Sequence, residues 1–220
     1  MSARICLTRK EGASMARTEK TPAPFGAHLP EGRHGKSGSR AGVKITEYRD
    51  FFLLQLAFFS DQEIAAKTMV KRQFGLPALP DISGSVQTDG LLCLRAEIGK
   101  IWLVSEQPLG ANLPASMKKY YPLDLSASKI CLHLSGAQSG QLINRQSAID
   151  LSCPDGRFMA TSMHHVGVHI LKMGAESYLL FLPSSFAESL AHGLFDIACQ
   201  FGVQIAKPLT WPENSLIIAE

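Results

Sequence analysis

The chain has 220 residues, 45% of them hydrophobic, and a formal net charge of +3. That length buries a substantial core in one domain or a compact pair of subdomains. No run reaches the roughly 18 apolar residues of a membrane-spanning helix, the longest being residues 51–59 and 178–183, so a soluble protein with no membrane role is expected.

Positive charge gathers at the start, where nine Lys and Arg stand against three acids up to Lys44. Residues 1–20 lack the continuous apolar segment of a secretory signal and carry Glu11 and Glu19. Met15 offers a second candidate start. Residues 21–42 are rich in Pro, Gly, Ser and His and poor in large apolar side chains, so burial cannot offset their ordering entropy. The reading is a basic arm over 1–42, disordered or laid on a partner. Its charges are scattered and not interleaved with aromatics, so no nucleic-acid partner is expected. Cys6, Cys93, Cys131, Cys153 and Cys199 show no CxxC spacing and read as free, mostly buried thiols of a cytoplasmic protein.

Residues 43–48 and 51–59 read as β. Phe51, Phe52, Phe58 and Phe59 exceed what one sheet face hides, so some of them are expected to complete a core only with a partner. Asp61 then stands as an N-cap and Glu63 complements a helix dipole; Ile64, Thr68 and Met69 form the apolar stripe, and Gly75 before Pro77 is the stop. Residues 77–90 read as a loop. Residues 91–97 and 101–105 form a hairpin around Gly99-Lys100, and a second loop over 107–123 leads to a strand at 129–134. Ser135 is then the cap of a helix over 137–146. Residues 157–171 and 176–182 pair as strands across Met173-Gly174-Ala175. The last helix opens on a capping box of Ser185 and Glu188, lays Phe186, Leu190, Leu194, Ile197 and Phe201 on one face, and stops at Gly202.

The order is β-α-β-β followed by β-α-β-β-α. It predicts an α+β fold of two β-α-β-β units, an antiparallel or mixed sheet with helices packed on one face. The folded part spans 43–205, and 206–220 form a C-terminal tail.

The search for chemistry leaves little. His165 and His169 in Met163-His164-His165-Val166-Gly167-Val168-His169 would share a metal on a helix, but Val166, Val168 and Ile170 alternate with period two. On a strand the two rings stand about 13 Å apart, far beyond the roughly 2 Å bond to a common zinc. Neither a Gly-x-Ser-x-Gly elbow nor a phosphate-binding glycine motif is present. Ser135 therefore reads as structural, and Cys131 and Cys199 as core. Trp102 reads as core or as a partner anchor, and Trp211 as docked on the chain itself or on a partner. With His164 and His165 they form the candidate partner contacts. No catalytic, cofactor-binding or metal-ligating residue is assigned, which favours a subunit or binding module over a stand-alone enzyme.

Three segments then carry a resemblance. Ile98-Gly99-Lys100-Ile101-Trp102-Leu103-Val104 is similar to a turn followed by Trp-Leu-Leu. Leu132-His133-Leu134-Ser135-Gly136 through Ala148-Ile149-Asp150-Leu151 is similar to a strand, Ser-Gly, helix and an Ala-Leu-Asp-Leu ending. Tyr178-Leu179-Leu180 with Ser184-Ser185-Phe186-Ala187-Glu188-Ser189-Leu190 is similar to an Arg-Ser-Phe-Ala-Glu-Tyr-Leu helix entry. In that order, over residues 43–203, they resemble the gamma subunit of heterotetrameric sarcosine oxidase. The chain departs from that pattern at Lys100 and Ile101, where an acidic pair is usual, at Ser184, where an Arg is usual, and in its basic arm.

The resemblance implies a fold similar to the folate-binding domain of the glycine-cleavage aminomethyltransferases and a structural role beside alpha, beta and delta subunits. It further implies that FAD, FMN, NAD, tetrahydrofolate and zinc reside on those other subunits of a complex that demethylates sarcosine to glycine, with hydrogen peroxide and methylenetetrahydrofolate as products. The same resemblance extends to subunits of other N-methyl amino-acid dehydrogenases. A reading of another class is a free-standing folate-binding aminomethyltransferase-like protein, with Arg95, Arg145 or Arg157 receiving the folate carboxylates.

Overall fold

The computed structural model describes residues 29–36, 40–88, 90–110 and 113–211. The chain runs through β1 (Gly32–His34), β2 (Val43–Arg49), β3 (Phe52–Ala57), α1 (Glu63–Phe74), β4 (Gly84–Thr88), β5 (Leu91–Glu97), β6 (Lys100–Ser105) and β7 (Leu123–Asp124). It continues through β8 (Lys129–Ser135), α2 (Ser139–Gln146), β9 (Phe158–Met163), β10 (Val166–Gly174), β11 (Ser177–Pro183), α3 (Ala187–Phe201), β12 (Val203–Ile205) and β13 (Leu209–Thr210).

These strands make two sheets. The small one is antiparallel in the order β4-β5-β6-β3-β7. The large one runs β1-β12-β2-β8-β11-β10-β9, with β13 also on β2; β12 and β13 lie parallel to β2 and the other pairs are antiparallel. Within them one topology occurs twice. A strand enters a helix, and three antiparallel strands follow, the last returning to pair with the first: β3-α1-β4-β5-β6 in one sheet, β8-α2-β9-β10-β11 in the other. The α+β architecture of two such units is therefore as the sequence predicts, with one more strand per unit.

The sheets pack face to face, because their strands are apolar on both faces. In β11, Leu179 and Phe181 join the seam between the sheets, while Tyr178, Leu180 and Leu182 face the core that α2 and α3 close. In β6, Trp102 and Val104 enter the seam, while Ile101 and Leu103 face the core that α1 closes. The layers are α2 and α3, large sheet, small sheet, α1. Each sheet carries its helix on its outer face only.

Several local expectations give way. Residues 77–90 contain β4, whose residues are all half-buried at a sheet edge, so it has no alternation to read. Residues 157–171 split into β9 and β10, because His164 (φ 48°) and His165 (φ 65°) both take the left-handed conformation and turn the chain as a two-residue hairpin loop. Asp61 lies inside a short 3-10 turn, Ser60–Gln62, and gives α1 no side-chain cap. The buried stripe of α1 is Ala66, Met69 and Val70; Ile64 and Thr68 face outward. Gly75 ends α1 as expected, at φ 67° with its N–H donated to Lys71.

The Ser185 and Glu188 capping box does not form, since a 3-10 turn over Ser184–Phe186 leads into α3 and Phe186 is exposed. Ala187, Ala191 and Ala198 join Leu190 and Leu194 on its buried face. Ser135 closes β8 without capping α2; Gly136, at φ 112° and tight against the Gly42 carbonyl, carries the chain across to Ser139. Part of the expected arm belongs to the domain: Leu29 is buried, Gly32–His34 adds β1 to β12, and the His34 ring packs edge-on against Phe195. The tail likewise adds β13 and buries Trp211. Strand pairing and the apolar anchors Leu29 and Trp211 hold these segments, which composition averaged over 1–42 and 206–220 conceals. Met1, Met15 and Cys6 lie outside the described residues. Among the described residues no helix is long and apolar enough to cross a membrane.

Candidate functional site

The seam between the sheets holds a cluster of aromatic and polar groups. Trp102 projects from β6 against Phe158, Phe181 and His169 of the large sheet, with the His169 ring 4.3 Å from its own. Its indole N–H donates to Gln55 Oε1 across the β3–β6 pair at 3.1 Å. Lys129 Nζ lies 5.4 Å from the same ring, a cation–π contact. Phe158 stacks on His169 and meets Trp102 as well, so the three rings form one triangle.

Burial, seconded by the charge of Lys129, holds the His169 imidazole neutral with its pKa lowered to about 4. The Lys129 amine is lowered by burial as well. Nδ1 of His169 is buried without a hydrogen-bond partner among the described residues. On the neighbouring part of the sheet His133 bonds Ser177 Oγ at 2.8 Å and stacks on Tyr48, its pKa lowered by burial and by Lys44. Aromatic packing dominates this seam, and the Glu97 carboxylate, which favours the protonated ring, is outweighed by burial and Lys129.

The thiols are equally quiet. Burial pushes Cys93 up to about 12 and Cys131 well above the ordinary thiol range. Cys153 and Cys199 are half-buried, and all four described cysteines are free. Among the described residues no three His, Cys, Asp or Glu come together as metal ligands. His165 sits in the β9–β10 turn and only His169 on β10, so the two do not share a strand as the alternation of valines predicts.

The candidate residues disperse. Trp102 and Trp211 are buried in their own chain, Trp211 against Tyr48 and Phe51, so both act as internal anchors rather than free partner contacts. His164 and His165 are exposed, and the His164 ring lies over Gly193 of α3. The three arginines do not converge. Arg95 is locked on the outer face of the small sheet by Glu63, the Pro80 carbonyl and the Phe58 ring. Arg145 lies over Phe201 on the helices of the large sheet and bonds Gln200, while Arg157 is exposed at the start of β9.

What the chain does present is an apolar end of the small sheet. Phe59 is 63% exposed, Ile64 80%, Ile98 70% and Tyr121 59%. Three elements bring them together. Phe59 leaves β3 beside the β5–β6 turn, where Phe58 N–H donates to Gly99 at 2.7 Å and places Ile98 next to it. Tyr121, held at φ 45°, meets Phe59 edge-on with ring centroids 6.2 Å apart. Ile64, second residue of α1, is exposed on the outer face of that helix, and Leu123 of β7, paired with Gln55, is exposed as well. Exposed apolar side chains gathered in this way, as Phe59, Tyr121 and Ile98 are, mark contact sites. The surplus of phenylalanines at 51–59 pointed here: Phe51 and Phe58 are buried, Phe52 is half-buried, and Phe59 is left outside. Ile98 and Tyr121 had no such signal, because a lone apolar residue in a turn reads the same inside or out.

No protein-family model matches the sequence, and no curated protein matches it significantly. Solved structures do. A chain of the heterotetrameric sarcosine oxidase from Corynebacterium sp. U-96, in complex with pyrrole 2-carboxylate, superposes with a TM-score of 0.62 at 22% identity, covering 76% of this chain and 88% of that one. The glycine cleavage system aminomethyltransferase T from Bartonella henselae superposes with a TM-score of 0.54 at 15% identity over 76% of this chain. This chain spans 48% of that neighbour's length. The fold is thus that of a sarcosine oxidase chain and of part of an aminomethyltransferase, in agreement with the resemblance the sequence carries.

Proposed function

We propose that the chain is a non-catalytic assembly subunit of the gamma type in a heterotetrameric sarcosine oxidase of the cytoplasm. The observation that supports this reading is the likeness to one chain of such an oxidase over 76% of this chain and 88% of that one, against 48% of the aminomethyltransferase. The exposed apolar end formed by Phe59, Ile64, Ile98 and Tyr121 is the surface by which it docks on a large subunit. In this reading alpha, beta and delta chains are its partners, and FAD, FMN, NAD, tetrahydrofolate and zinc sit on them. Whether those partners oxidise sarcosine or another N-methyl amino acid is a property of the large chains.

The free-standing folate-binding alternative has less support, since Arg95, Arg145 and Arg157 stand on separate faces. The test is affinity purification of the tagged full chain from its native host, with mass determination and a flavin absorbance spectrum. Two large flavin-bearing chains and one small chain are expected to accompany it. A colourless monomer that binds tetrahydrofolate would overturn the reading in favour of the alternative.

A further inference from the structure

The small sheet covers only part of the large-sheet face that it packs against. Directly paired residues of neighbouring strands project to the same side, so the registers set this face out in transverse rows. One row is Gln204 of β12, Lys44 of β2, Ser135 of β8 and Ser177 of β11, each paired with the next. His133 stands two residues before Ser135 on β8 and shares its side. Cys131 and Phe181, further along β8 and β11 on this face, are fully buried in the seam. In the row Lys44 is exposed and Ser135 and Ser177 are half-buried, so the small sheet stops short of them.

The row is built from hydrogen-bond donors. His133 Nε2 lies 2.8 Å from Ser177 Oγ, a diagonal contact between β8 and β11, and the ring is held by stacking on Tyr48 of β2. With Nε2 donating, Ser177 Oγ accepts and its own O–H points off the sheet. The Lys44 ammonium lies near enough to the ring to add to burial in lowering the His133 pKa. Ser135 stands between Lys44 and Ser177, about 5 Å from each by the strand spacing. An ammonium and two hydroxyls therefore gather over the end of β8. Neither the aromatic triangle of the seam nor the exposed apolar end of the small sheet uses them.

We propose that this corner of the sheet binds the tetrahedral oxyanion of a small ligand, a phosphate or sulfate group, with Lys44, Ser135 and Ser177 each donating to one of its oxygens. A tetrahedral group sets three oxygens down on a flat surface, one for each donor, whereas a planar carboxylate sets down two. Lys44 supplies the opposite charge as a compact ammonium on a long stem. The two hydroxyls supply direction, and their bonds to a charged acceptor are stronger than bonds between neutral groups.

The proposal is independent of the subunit reading, and the isolated full chain suffices to test it. Inorganic sulfate, whose charge is constant through the neutral range, is titrated into the protein at an ionic strength held with sodium chloride. Binding is followed by calorimetry and by the NMR signals of the His133 ring. Saturable binding that moves those signals is expected, with inorganic phosphate as a competitor and acetate binding more weakly. Lys44→Gln weakens it roughly fivefold, as for a charge at an exposed position, and Ser177→Ala roughly tenfold, as for a lost hydrogen bond to a charged group. Lys71→Gln, at an exposed lysine of α1, leaves the affinity unchanged. Absence of saturable binding, unmoved His133 signals, acetate binding as tightly as sulfate, or the same affinity in Lys44→Gln as in Lys71→Gln overturns the proposal. Because Lys44 is exposed, its variant decides the matter even if Ser177→Ala does not fold.

Discussion

Replacing Phe59 and Ile98 together by serine tests whether the apolar end of the small sheet is an interface. Phe59 is 63% exposed in the isolated chain. A phenylalanine buries about 200 Å2, so covering the exposed part removes about 130 Å2 from water, worth about 3 kcal/mol. Ile98, 70% exposed, adds about 1.5 kcal/mol on the same basis. Ordering and orientation costs are common to wild type and variant, so the difference should survive as a loss of about 3 kcal/mol or more in association, about a hundredfold in Kd. The same substitutions change the stability of the isolated chain by no more than about 0.5 kcal/mol, because exposed positions contribute little to folding. The assay pairs calorimetric titration of the purified chain into the large chains of the complex with thermal denaturation of the chain alone. Phe186→Ser and Leu209→Ser, exposed apolar residues outside this patch, serve as controls. Undiminished affinity in the double variant, with a loss in either control, would refute the location of the interface.

Three further outcomes follow from the packing. Phe181→Ala, at the centre of the seam against Phe51, Trp102 and Phe158, should cost about 3 to 5 kcal/mol by denaturant titration; a loss under about 1 kcal/mol would mean that the sheets do not meet there. Exchanging His164-His165 for Asn-Gly should stabilise the chain by about 1 kcal/mol, since both positions hold positive φ and that pair favours the turn; a destabilised variant would show that the His164 contact with Gly193 matters more than the backbone. Because the folded pKa of His169 lies near 4, below its unfolded value near 6.5, the folded chain refuses a proton that the unfolded chain accepts. Stability is therefore full above pH 6.5 and falls by about 3 kcal/mol as the pH drops to 4, with no further loss from this group below that. His169→Gln should remove that acid slope, and an unchanged slope would contradict the burial of the ring.

Legibility in the sequence followed physical contrast. Leu91–Glu97 and Lys100–Ser105 are strong apolar strands around a glycine that must hold φ 71° beside the Phe58 carbonyl, so turn and register announce themselves. The unbroken run Tyr178–Leu182 likewise announces a strand buried on both faces. Gly84–Thr88 carries one large apolar residue, Val86, and owes its strand to hydrogen bonds with β5. The histidine turn has neither glycine, asparagine nor proline to mark it, and the neighbouring alternation of valines runs straight past it. The 3-10 entries to α1 and α3 displace the caps by a turn, an effect set by packing rather than by Asp61 or Ser185. The polar row across β2 had no linear signal at all: Gln204, Lys44 and Ser135 meet only because β12 and β8 both pair with that one strand.

That arrangement of β2 also dictates an order of assembly. All strands of the small sheet lie between Phe52 and Asp124, contiguous in the chain, so this half can close as soon as it leaves the ribosome. β2 precedes all of it, yet its hydrogen-bonding partners are β8, β12 and β13, the last of them at Leu209–Thr210. One edge must wait for β8 at Lys129–Ser135 and the other for β12 and β13, almost the end of the chain, and loops of that length close slowly. Nascent chains cut short before Val203 would therefore carry a finished small sheet and an open one, with β2 available to any other strand that reaches it first.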